Sequence, residues 1–480
     1  MRCVTGWTPY SHNAAERTRL PAAKQFRRTR RLFGNRGWGV PDTASVVIDA
    51  LQPDNAPMSM RAVHSLLMTL GVLVSQLAAA APRDVAERAA TLIENNFYDA
   101  ARARDIAGGI EAAARAGQFD GLHDPRDLAA ALTTRLRSFD RHFNVIWSGN
   151  ATVANQVAAL PGEVMDRRGN YGFRRVEMLP GAIALIDMRM FADFRFDQPD
   201  EPARKAADAA LAFISGADAV IVDLRSNGGG SPAMVGYLVS AFTPADAAIY
   251  NEFHRRDAQY SERPGEPYAK PMLDVPLFVL ISGRTASAAE SAAYTLQAAH
   301  RATVVGEVSA GAANPGGLFP IGEGFNIFIS TGTPINAVTG GNWEGVGVKP
   351  DVAIVADRAP LRAQILALEA VLARRPDRPE SRENQWILEA LRVQEGGPGK
   401  GPSLQEYVGD YSGAKIVMQG SALLFFRGER PPVQLTRIRG DTFFVSDEPF
   451  RRVLFERARS GKVSGLQLVR NGSDTLWFRR

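Results

Sequence analysis

The sequence predicts an α/β fold with a largely parallel sheet, preceded by a small helical domain and followed by a small all-β domain. Three observations carry that prediction. Between about residues 180 and 305, short apolar runs alternate with helical stretches, the order that builds a parallel sheet with helical cover. Ahead of this region, apolar residues recur at helical spacing. Behind it, a Gly/Pro-rich stretch sets off a segment of short apolar runs separated by turn residues.

Taken in order, Val85, Ala89, Leu92 and Ile93 share one helical face. Ile106, Ile110, Leu128 and Leu132 continue the pattern after Gly/Asp breaks near 116–125. This helical domain, 81–145, runs into Asp140-Arg141-His142-Phe143. Within an α/β core of 146–358, Ile183–Asp187 (IALID), Ala219–Leu224 (AVIVDL), Leu277–Ile281 and Thr303–Val305 read as strands. Glu201–Ile214, Pro232–Phe242 and Ala288–Ala299 read as the helices between them. Loops that follow such strands are the usual place for sites. Stretches 359–372 and 385–394 look helical, and Gly396–Pro402 (GGPGKGP) reads as a flexible linker closing a segment 359–403. From 404 to 480, the runs Lys415–Met418, Ala422–Phe426, Phe443–Val445, Val453–Phe455, Leu466–Val469 and Thr475–Phe478 indicate a small β domain.

With 480 residues, 45% hydrophobic and 22% charged, the chain has room for two or three domains and a sizeable core. Its net charge of +5 is unevenly placed. Residues 1–80 hold ten Lys/Arg and four Asp/Glu, a surplus of six that leaves −1 for residues 81–480. Nothing basic then remains to argue for nucleic acid. Met58-Ser59-Met60-Arg61, the run Leu66–Leu77 and Ala78-Ala79-Ala80 read as a secretory signal at 58–80, with residues 1–57 an over-extended start. The run is shorter than the roughly 20 apolar residues that span a bilayer, so a periplasmic or secreted protein without stable membrane insertion is expected. Cys3 is the only cysteine and precedes that signal, which excludes a disulfide, a cysteine nucleophile and a thiolate metal site downstream.

Four places could carry chemistry. Arg284-Thr285-Ala286-Ser287-Ala288-Ala289-Glu290 follows an apolar strand and opens a helix, where unpaired N–H groups can hold an oxyanion. Ser-x-x-Glu is equally a capping box, and no Gly-x-Ser-x-Gly elbow surrounds it. His142 could serve as a base titrating near neutrality, or be an ordinary junction residue. Gly228-Gly229-Gly230 after a buried strand lets backbone amides approach an anion, or merely makes a tight turn. No Gly-Lys-Ser/Thr follows, so a phosphate loop is not indicated. Glu344 could orient a base, or be a solvated loop acid. No His-Glu-x-x-His occurs, and neither a metal nor a cofactor is expected.

Four ordered segments then matter together: DLRSNGGG (223–230), TASAAE (285–290), VVGEVSAGAANPGG (304–317) and NWEGVGVKPDV (342–352). Over roughly 85–355 the chain resembles the C-terminal-processing (tail-specific) serine peptidases, most closely the branch of the tricorn core and interphotoreceptor retinoid-binding protein. The resemblance implies a crotonase-like core and a site with Ser287 as nucleophile, His142 as base and Glu344 as its partner. It also implies an oxyanion hole from Ala288 and Gly229 or Gly230. The lysine of the processing branch is missing, since Gly311-Ala312 stands in its loop. That branch of the family with histidine and glutamate places a serine directly before the histidine, where Arg141 stands here. A PDZ-like segment is not evident between 145 and 180. The expected activity is an exported serine endopeptidase acting on peptide or unfolded protein. A non-catalytic binder of retinoids or fatty acids, or another hydrolase such as an esterase, is the rival.

Overall fold

Residues 81–149, 166–470 and 475–480 are described by a computed structural model, and all lie in one unit, Ala78–Arg480. The signal expected at 58–80 and the over-extended start at 1–57 lie outside the described residues. Three amphipathic helices come first: α1 (Pro82–Asn96), α2 (Ala100–Arg115) and α3 (Pro125–Leu136). Local chemistry sets their starts. Asp99 accepts the Ala101 and Arg102 amides at 3.0 and 3.1 Å, and Asp124 accepts that of Arg126 at 2.8 Å ahead of Pro125. A four-residue strand, β1 (Asn144–Trp147), begins two residues after His142.

The α/β core contains β2 (Phe173–Leu179), β3 (Ile183–Met188), α4 (Pro202–Ile214), β4 (Ala219–Asp223), α5 (Pro232–Ser240), β5 (Asn251–His254), β6 (Gln259–Ser261), β7 (Leu277–Ile281), α6 (Ala288–Ala298) and β8 (Thr303–Gly306). After these come β9 (Gly316–Gly322), β10 (Phe325–Ser330), β11 (Thr333–Asn336), β12 (Val352–Ala353), α7 (Ala359–Arg374) and α8 (Ser381–Gly396). A six-stranded sheet runs in the order β12-β8-β7-β4-β3-β2, parallel throughout except for the antiparallel β2 edge. Alternate residues of each central strand face opposite ways. Val220, Val222, Val279 and Ile281 pack toward α4, α5 and α6, whereas Ala219, Ile221, Phe278 and Leu280 pack toward α7 and α8. Burial on both faces is why these strands read as unbroken apolar runs.

The hairpin β9–β10 departs from the expected division at 145. It pairs with β1, not with the six-stranded sheet, and Ile321, Phe325, Ile327 and Ile329 join the cluster of Val85, Ile93, Ile110, Leu132 and Phe143. The helical module is thus completed by strands from far along the chain.

C-terminal to α8, the strands β13 (Gly409–Tyr411), β14 (Ala414–Gln419), β15 (Ala422–Arg427), β16 (Val433–Arg439), β17 (Thr442–Val445), β18 (Glu448–Arg457), β19 (Val463–Arg470) and β20 (Leu476–Arg479) form an antiparallel meander in sequence order. Its two ends meet where the Ser412 amide donates to Arg479 O at 2.6 Å. The Gly396–Pro402 stretch, expected to be a flexible linker, is tied to this domain. The Gly399 amide donates to Arg437 O at 3.1 Å and the Gly440 amide to Lys400 O at 2.9 Å. A Cβ on Gly399 would lie 1.8 Å from Ile438 O, so this glycine serves close backbone approach, not flexibility.

Candidate active site

Parallel pairing sets β4 beside β7, with Asp223 opposite Leu280, so the loops that leave their C-terminal ends are neighbours. One loop carries Asn227-Gly228-Gly229-Gly230 and the other Ser287. They are laced together: Thr285 Oγ1 donates to Leu224 O at 2.8 Å, Ser282 Oγ to Arg225 O at 2.6 Å, and the Ala286 amide to Asn227 O at 3.1 Å. Ser287 is exposed and adopts φ 55°, ψ −123°, a strained conformation for any residue with a Cβ. A sharp strand-to-helix turn therefore presents its hydroxyl, although the Gly-x-Ser-x-Gly pattern is absent. Gly229 makes room for it. With φ +112°, a Cβ there would lie 2.8 Å from that of Ser287.

The amides near Ser287 differ in availability. That of Gly229 donates to Asn227 Oδ1 at 2.9 Å and is committed. Gly230 is exposed, and Ala288 occupies the first position of α6, where an amide has no intrahelical acceptor. Glu290 is fully buried and organises the turn from below. It accepts the Ser287 amide at 2.8 Å, Ser309 Oγ at 2.5 Å, and the amides of Gly311 and Ala312 at 2.6 and 2.8 Å.

The next two amides of the same strand of chain, Ala313 and Asn314, donate to Glu344 Oε2 at 2.8 and 3.1 Å. Glu344 Oε1 lies 3.4 Å from His142 Nδ1. The strap 309–314 thereby joins the turn of Ser287 to the partner of His142. Trp343, buried beside Glu344, anchors that loop against Tyr294 at 5.2 Å between ring centroids.

Asp140 is the residue that sequence reasoning passed over. It is nearly buried, and its Oδ1 lies 3.0 Å from His142 Nδ1 and accepts the His142 amide at 2.8 Å. Its Oδ2 accepts Asn314 Nδ2 at 3.3 Å. The signal was present in the spelling Asp-x-His, a turn in which a carboxylate reaches the backbone two residues on. Phe143, stacked on Phe97 at 5.5 Å, and Phe328, 6.2 Å from the imidazole, hold the ring in place. Burial disfavours the charged imidazole, but the hydrogen bonds to Asp140 and Glu344 outweigh it and raise His142 to about 9. Despite burial, hydrogen bonds from His142 hold Asp140 below the usual carboxylate range.

Asp140, His142 and Glu344 place ligand atoms within 4.8 Å of one another, a donor set that could suit a metal. The oxygens are otherwise engaged. Both oxygens of Asp140 and Oε2 of Glu344 already accept hydrogen bonds, so the cluster reads as a support for the imidazole. A cavity of about 570 Å³ opens at the N-terminal ends of β7 and β8, between Asp274, His300, Asp351 and Arg374, and none of the candidate residues lines it.

A strained, exposed serine at the C-terminal edge of a parallel sheet is the arrangement in which serine hydrolases present a nucleophile. Residues 182–354 match the model of peptidase family S41, a family of serine-type peptidases. A carboxy-terminal-processing protease of Bartonella bacilliformis is 27% identical over 191 residues, covering 38% of this chain and 40% of the relative. The chain thus spans about two fifths of the length of that curated relative. Among solved structures, the photosystem II D1 C-terminal processing protease is similar at 14% identity and a TM-score of 0.38, over 58% of this chain and 94% of that one. The tricorn protease is similar at 13% identity and a TM-score of 0.35, over 65% and 37%.

Proposed function

We propose that the protein is an exported serine endopeptidase with Ser287 as nucleophile and His142 as base. The observation that carries this reading is the strap 309–314, whose consecutive amides tie Glu290 under Ser287 to Glu344 beside His142. Asp140 and Glu344 occupy Nδ1 of the imidazole, which leaves Nε2 to take the hydroxyl proton. Ser287 Oγ attacks the peptide carbonyl and its proton passes to His142, which returns it to the leaving amine. Water, deprotonated by the same imidazole, then releases the acyl group and restores the serine. The Ala288 and Gly230 amides hold the oxyanion, with Gly229 supporting the turn instead of donating. Ser287 is exposed and within reach of a peptide or unfolded protein, and no cofactor or metal is needed for these steps.

Labelling by a fluorophosphonate probe tests the mechanism. The native protein should react and Ser287→Ala should not, and equal labelling of the two would refute the assignment. Incubating both proteins with a peptide library then separates a peptidase from an esterase. Export rests on the composition of 58–80 and is checked by mass spectrometry of the mature N-terminus, expected near Ala81. No helix among the described residues is long and apolar enough to cross a membrane.

A further inference from the structure

The C-terminal meander is closed at one end and open at the other. Inward positions along its strands are apolar: Leu423 and Phe425 on β15, Val453 and Phe455 on β18, Leu466 and Leu468 on β19. At the closed end, Arg437 lies over the rings of Tyr407 and Phe443 at 5.4 and 5.0 Å, and Arg457 pairs with Asp441 and Glu406. The Tyr407 hydroxyl completes that plug by donating to Asp441 at 2.7 Å.

At the open end, the inward register of β15 continues from Phe425 to Arg427, and that of β18 begins at Arg451. A cavity of about 350 Å³ opens there, lined by Phe425, Val433, Val445 and Leu468, with Arg427, Arg430, Arg451 and the single carboxylate Glu448 around it. Arg451 pairs with Glu448. Among the described residues, no carboxylate lies within ion-pair reach of Arg427 or Arg430. Charges at the plugged end are thus matched, while those at the open end leave a positive surplus over an apolar floor. A guanidinium beside a dry surface binds a carboxylate more strongly than one in water, because both partners shed less competing solvent.

We propose that this mouth binds an apolar monocarboxylate, with its hydrocarbon against Phe425, Val445 and Leu468 and its carboxylate at Arg427 and Arg430. An eight-stranded sheet closed on itself has an interior that side chains fill or that holds one small ligand, and here side chains fill the plugged half while the cavity stands at the other. The chemistry is shared by a medium-chain fatty acid and by the C-terminal residue of a peptide that ends in an apolar side chain. The site shares no residue with the turn of Ser287 and does not depend on its assignment.

Titration calorimetry on the full chain decides the matter, with four probes: dodecanoate, dodecanol, a tripeptide ending in phenylalanine with a free carboxylate, and its amide. One acid should bind with one site per chain and at least about tenfold tighter than its neutral counterpart. Whichever acid does so names the source. Replacing Arg427 and Arg430 together by Gln should remove that preference, and Val433→Glu should repel the acid through a nearby like charge. Thermal melts confirm that each variant is folded, and Arg430→Gln alone, at an exposed position, serves should the double variant not fold. Binding of neither acid, equal binding of acid and neutral probe, or a preference that survives loss of the arginines would overturn the proposal.

Discussion

At Ser287 the backbone sits at φ 55°, a conformation that costs roughly 1–3 kcal/mol for a residue with a side chain. The hydrogen bond from its amide to Glu290 and the missing Cβ of Gly229 are what keep it there. His142 shows a second tension. With a folded pKa raised to about 9 from an ordinary 6.5, its protonated form stabilises the fold. That contribution is full below about pH 6.5 and is lost as pH rises through 9. The proposed mechanism needs the neutral ring, so under it activity and stability move in opposite directions across this window. We expect kcat/KM on a peptide substrate to climb between pH 7 and 9. Asp140→Asn should shift that limb down toward 7 and lower the plateau by about ten- to a hundredfold, since Glu344 still holds the ring. A pH–rate profile of both proteins checks this. An unmoved limb would show that Asp140 does not set the base.

The strap 309–314 acts as one element even though it is neither helix nor strand. Its four consecutive amides, Gly311 to Asn314, are shared between two carboxylates. Glu290→Gln keeps the shape but turns one acceptor oxygen into a donor facing amides that also donate. We expect a loss of about 2–4 kcal/mol in urea unfolding and a fall in kcat beyond what the stability change explains. Elements of this chain were legible in the sequence where burial is two-sided. IALIDM, AVIVD and LFVLI are strands packed on both faces, and each was read within a residue. Strand β16, VQLTRIR, was not read, because only alternate residues face inward and the rest are polar. The glycines at 396–401 were misread as slack, since a sequence does not show which glycine another backbone presses against. Ser287 and Glu344 stand in two of the ordered segments, and His142 is a candidate base in its own right. The roles of Asp140 and of the strap within VVGEVSAGAANPGG are not legible there, because they lie in hydrogen bonds between residues up to 174 apart.

For the whole molecule, the sheet and the C-terminal meander are joined at α8. Arg452 is 2% exposed, donates to the carbonyls of Trp386 and Pro449, and lies 5.1 Å over the Trp386 ring. Burial lowers it to about 10. Arg452→Ala leaves those carbonyls without a donor, and we expect calorimetry to resolve one unfolding transition into two as the meander releases early. A single unshifted transition would show that the two parts are coupled elsewhere.

The hairpin β9–β10 has a consequence for how such a chain comes into being. Ile321, Phe325, Ile327 and Ile329 complete the core of helices whose own residues are made more than 180 positions earlier. A ribosome or a translocation pore releases the polypeptide from its N-terminus, so the segment that carries His142 waits for partners that emerge only after Ser287. The newborn protein passes through its most vulnerable stage, and past its neighbours, before the elements of the proposed site can assemble.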